Sequence, residues 1–239
     1  MAFATDFAPA LVLLACACCG NGGGAVDAAI TVDIDNGSCG DQLRLTGEYV
    51  DWDTDASFCG INEATWTEEG DGGMDTTAPN GRFDLCVSRA STTTKIIITQ
   101  PTAMSSCTTP PSTYTTPAIA FVDHAEVLAG GFFSARAFTD ARRTTFFQNA
   151  GLTFDATKAH VFVHVDGTPR AVSLAANHDA AQAIAAASWA AGNTGHEVFF
   201  PNVDVGGGTT ALSVAGGAIG TGEIPLIAGT ITNVTVLAN

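Results

Sequence analysis

The sequence predicts an all-β chain, arranged as two small β-sandwich domains with a short linking helix. Three observations carry that expectation. Short runs of alternating apolar and polar residues recur along the chain. Gly, Asn, Asp and Pro turn signals separate them. Ala, Val, Thr and Gly, rather than Leu, dominate the composition, which suits sheets and turns better than helical bundles. Hydrophobic residues make up 46% of the 239, enough to fold despite a formal net charge of -15.

The elements follow in order. Residues 29–35 alternate Ile30, Val32 and Ile34 against polar neighbours, and Asn36-Gly37 turns the chain. Residues 43–52 form the next strand, and 64–67 a short one. Asp71-Gly72-Gly73 and Pro79-Asn80-Gly81 are turns. Residues 82–87 resume a period of two, 95–99 form a core strand ended by Pro101, and 118–122 are the next apolar run. Residues 139–151 read as a helix. Thr139 caps the first-turn amides, Gly151 takes a left-handed exit, and Phe146 and Phe147 anchor it on a sheet. Residues 157–165, 171–174, 196–200, 209–214 and 229–237 are later strands. Residues 175–191 stay open between a helix, favoured by their alanines, and a hairpin arm, favoured by their place between strands.

The order strand, Asp, strand, Gly turn, strand occurs in both halves, around Asp51 and around Asp166. It sets sandwich domains at 26–122 and 158–239, a connecting segment at 123–157, and an address with a Gly-rich tether at 1–25. At Ala64-Thr65-Trp66-Thr67, Thr76-Thr77-Ala78-Pro79-Asn80-Gly81-Arg82-Phe83 and Asp166-Gly167-Thr168-Pro169-Arg170-Ala171-Val172-Ser173-Leu174 the chain resembles the transthyretin-like, or carboxypeptidase-regulatory-like, β-sandwich family. That resemblance implies an exported or surface module without chemistry of its own. The ring-hydrolysing enzyme of the wider group ends in a Tyr-Arg-Gly-Ser-type tail, which Thr235-Val236-Leu237-Ala238-Asn239 does not match.

Residues 8–17 are apolar and too short to span a bilayer as a helix, but they suit the core of an export signal. Leu13-Leu14-Ala15-Cys16 resembles the lipobox of bacterial lipoproteins, as does Ala15-Cys16-Ala17-Cys18. The resemblance implies lipidation at Cys16 and an extracellular or cell-surface location, with membrane contact only through the lipid. Asp6 stands where that pattern has a positive charge. Beyond the address, Cys39, Cys59, Cys86 and Cys107 form an even set, expected as two disulfides, with three pairings open. Their spacings are too wide for a zinc site.

Asp51, Asp53 and Asp55 alternate just after a strand and resemble the start of a calcium loop. Ala56 replaces the turn glycine, and Asn62 stands where the bidentate Glu belongs. Trp52 and Trp189, placed in loops, are candidate glycan contacts, whereas Trp66 belongs to a core strand. His160 and His164 share one strand face with Phe162, about 13 Å apart along the strand. Asp plus Glu number 24 against 9 Lys plus Arg, which excludes general nucleic-acid binding. No nucleophile elbow, zinc-protease or phosphate-loop motif is present. The function expected is therefore a non-catalytic surface protein in envelope interaction, adhesion or assembly. Its partner would be an envelope or extracellular protein or glycan, or a second copy met through sheet edges. The alternative is a calcium-dependent glycan-binding module.

Overall fold

In chain order the elements are β1 Leu43–Asp51, β2 Thr65–Glu68, β3 Met74–Thr76, β4 Arg82–Val87, β5 Thr93–Thr99, β6 Ala118–Asp123, α1 His124–Leu128, β7 Phe133–Ala137, α2 Asp140–Asn149, β8 Ala159–Gly167, β9 Arg170–Leu174, β10 Gln182–Ala185, β11 Ser188–Ala191, β12 Thr194–Gly195, β13 Glu197–Val203, β14 Thr209–Val214, β15 Gly222–Pro225 and β16 Ile231–Ala238. They are seen in a computed structural model, which describes residues 39–52, 59–70, 72–101, 113–185 and 188–238. The all-β class with short helices is as the sequence predicts.

Three sheets form. One has the order β4-β1-β7, one of nine strands runs β11-β10-β13-β8-β16-β6-β5-β2-β3, and one of four runs β12-β9-β14-β15. Pairing in the nine-stranded sheet is antiparallel except around β16, which lies parallel to both β6 and β8. The stretches expected as separate domains, 26–122 and 158–239, therefore share one sheet. Its last strand closes the seam between them, with Thr232 opposite both Ile119 and Val161.

The alternation of β8 feeds two cores at once. Val161, Val163 and Val165 pack with Val172, Leu212, Ile224, Val234 and Val236. Phe162 on the opposite face packs with Trp52, Phe138, Phe199 and Ile231. Each such side chain stabilises the fold by about 1.5–3 kcal/mol. A half-buried strand leaves its polar face in water, but β16 does not. Its Thr232, Asn233 and Thr235 are buried as well. β7 is an edge strand whose outer amides need acceptors, and β16 supplies them from side chains. Ser134 N–H donates to Thr235 Oγ1 at 3.1 Å, and Arg136 N–H to Asn233 Oδ1 at 2.9 Å.

α2 forms as the sequence predicts. Thr139 Oγ1 accepts from Arg142 N–H at 3.2 Å, Phe146 and Phe147 are buried, and Gly151 takes φ +69° just past the end. The open segment 175–191 resolves in favour of the hairpin: β10 and β11 pair antiparallel, with Ile184 opposite Trp189. Cys39 and Cys86 form a disulfide with a Cα–Cα distance of 5.4 Å, joining the approach to β1 with β4.

Candidate functional site

A buried polar cluster is built by β7, β8 and β13. Arg136 is buried on β7, where neither face of the strand reaches solvent. Its Nη1 donates to the carbonyls of Asp51 at 3.2 Å and Trp52 at 3.1 Å. Its Nε and Nη2 face the two Glu197 oxygens at 3.4 and 3.5 Å. His164 Nδ1 lies 2.9 Å from Glu197 Oε1. Burial pushes the Glu197 carboxyl up, but the His164 hydrogen bond and the Arg136 charge outweigh it and hold the group below the usual carboxylate range. This cluster clamps the end of β1 to β13. Sequence reading missed it because the ion pair spans 61 residues and β7 is only five residues long.

His160, the face-mate of His164, is fully buried against Phe154, with ring centroids 4.6 Å apart. Burial lowers its pKa to about 4, so the ring is neutral at pH 7. The two histidines enter separate settings and do not converge. No group of three or more His, Cys, Asp or Glu able to hold a metal occurs among the described residues.

The predicted site residues separate in the fold. Asp51 ends β1 as a buried carboxylate. Its Oδ1 accepts from Trp52 N–H at 2.8 Å, and its Oδ2 from the Tyr114 hydroxyl at 3.5 Å. Asp53 and Asp55 lie outside the described residues, as do Cys16, Cys107 and the address at 1–25. Cys59, expected in a second bridge, is buried as a free thiol among the described residues. Trp52, expected in a loop facing glycan, is fully buried instead. Phe138, Phe199 and Trp189 cover it, because the end of β1 turns into the core rather than out to solvent. Trp66 is core, as the sequence predicts.

Trp189 is placed differently. It sits on β11 rather than in a loop, stacked on Trp52 at 4.9 Å with an interplanar angle of 15°. Its indole N–H points inward to the Trp52 carbonyl at 3.4 Å. The ring is half-buried and lines a groove of about 440 Å³ between α2 and the β10–β11 hairpin. Phe146, Asn149 and Arg142 of α2 form one wall, and Gln182 and Ser188 contribute from the hairpin.

No family model matches the chain, and no curated protein matches it. Two solved structures are similar at 8% identity. The Bacillus anthracis TIE protein has a TM-score of 0.23, covering 82% of this chain and 34% of its own. The shaft pilin SpaA from Lactobacillus rhamnosus GG, crystallised as a double mutant, has a TM-score of 0.26, covering 83% of this chain and 98% of its own. The chain thus spans about a third of the length of the TIE protein.

Proposed function

We propose that this chain is a non-catalytic, exported or surface-anchored β-sandwich protein acting in cell-envelope interaction, adhesion or assembly. The observation that carries the reading is the Cys39–Cys86 disulfide, which joins the approach to β1 with β4. Such bonds persist in oxidising compartments and are rare in reducing ones. The lipobox resemblance at Cys16 supports anchoring by a lipid, and the motif around residues 64–83 supports transthyretin-like kinship. The buried cluster at Arg136 faces Glu197 and the end of β1 rather than solvent, and the surfaces open to partners include sheet edges, loops and the groove at Trp189.

The test is fractionation of cells producing the full chain, with thiols alkylated before lysis. The expected result is protein in the envelope or extracellular fraction, with Cys39 and Cys86 linked on peptide mapping and Cys59 alkylated once the chain is unfolded. Protein retained in the cytoplasm with Cys39 and Cys86 both alkylated would overturn the reading.

A further inference from the structure

We propose that the groove between α2 and the β10–β11 hairpin is a binding site for a neutral saccharide, with a pyranose ring stacked on Trp189. The inference deepens the surface reading by naming a class of partner, and it rests on that reading for its biological setting.

The groove has the size of a small-ligand site, at about 440 Å³. Its aromatic element is rigid. Trp52 stacks on one face of Trp189, and Phe146 meets the ring edge-on at 5.7 Å. A ring held this way loses little freedom when a ligand arrives. The indole N–H is already engaged with the Trp52 carbonyl, so what Trp189 brings to the groove is π surface rather than a donor. The C–H face of a pyranose is the complement of such a surface, because aromatic faces carry negative charge density.

The polar groups around the ring suit hydroxyls. Asn149 carries an amide and Ser188 a hydroxyl, and each can both donate and accept, as a sugar hydroxyl does; Gln182 is buried, with its Nε2 donating to the Ala180 carbonyl at 3.0 Å. Arg142 also lines the groove. Among the described residues no Asp or Glu lines the groove, although the chain has 24 of them. A cation would find no counter-charge there. A polyanion would meet one guanidinium on a chain of formal charge -15. A neutral ligand with paired hydroxyls and one apolar face satisfies both constraints.

The test is isothermal titration of the folded chain with soluble trisaccharides of glucose, galactose, mannose and N-acetylglucosamine. At least one is expected to bind saturably. Trp189→Ala should weaken that binding by at least about tenfold. Because Trp189 also packs on Trp52, the exposed wall residue provides a second variant. Asn149→Ala should weaken binding several-fold with an unchanged melting midpoint. Absence of saturable binding across the four sugars would overturn the proposal, as would binding undiminished in both variants. Binding of an alternating Thr-Val heptapeptide with no sugar bound would reassign the groove to strand addition along β11, and equally overturn it. None of these outcomes alters the disulfide and fractionation results, so failure here is separable from failure of the surface reading.

Discussion

Glu126 on α1 is buried, and neither of its carboxyl oxygens has a hydrogen-bond partner among the described residues. Gly131 packs closely over it: a Cβ there would lie 1.6 Å from Oε1, so a side chain at that position would displace the carboxyl group. Burial first, then the charges of Asp166 and Asp123, push the group up to about 8, so the folded chain holds a proton that the unfolded chain has released. The stability this proton lends is complete below pH 4.5 and is lost as pH rises through 8, about 5 kcal/mol in all. His160 works in the opposite sense. Its folded pKa of about 4 lies below the unfolded 6.5, so stability is lost as pH falls through that window, about 3 kcal/mol in all. From these two groups, urea unfolding at stepped pH should give a plateau between about 4.5 and 6.5 and a decline above it. Glu126→Gln should remove the alkaline decline and keep the acid one; a wild-type profile flat above pH 6.5 would refute the assignment. A denaturation cycle tests the buried clamp in the same way. Arg136→Met alone should cost about 3–5 kcal/mol by stranding Glu197, and the double variant with Glu197→Leu should recover part of that loss. Little at this scale was legible beforehand. Period two placed His160 and Phe162 on one face, but Arg136 and Glu197 meet only through tertiary pairing.

Strands were the most legible elements, because a buried face imposes its period on the sequence. β4, β8 and β14 lie where alternation puts them. β7 escaped notice although Phe133, Ala135 and Ala137 alternate with Ser134 and Arg136, because an arginine in a five-residue run reads as solvent-facing, whereas both faces of this strand are buried. The three-residue β3 and four-residue β15 are too short to show a period. Residues 175–191 show pairing overriding propensity. Ala183 is buried under the sheet and β10 pairs with β13, a gain no isolated alanine helix offers. Among the candidate site residues, Trp189 kept an open position, while Trp52 was drawn into the core because its large apolar area is better buried than exposed. The disulfide was legible only as one of three pairings, since sequence carries no distances. Its removal by Cys86→Ser should lower stability by about 4 kcal/mol, the loop-closure value for a separation of 47 residues. Chemical denaturation with and without reductant checks this: wild type should fall on reduction, and the variant should not respond.

At the scale of the molecule, the sequence showed the class and the repeat of motifs but not the shared sheet. Alternation in β16 looks the same whether its neighbours come from one domain or two. Because β16 hydrogen-bonds to β6 on one side and β8 on the other, the two halves should unfold together. Tryptophan fluorescence and calorimetry should report one transition, and fragments 39–128 and 158–238 should each stay unfolded alone. Two resolved transitions, or an independently folded fragment, would contradict this. The same placement sets an order in time. During synthesis every other strand is complete before residues 231–238 are made, yet the seam between β6 and β8 stays open until they arrive. Side chains of β16 also hold the outer amides of β7, so the smaller sheet waits on the same event. A ribosome-bound chain therefore keeps the seam between β6 and β8 open until residues 231–238 have emerged.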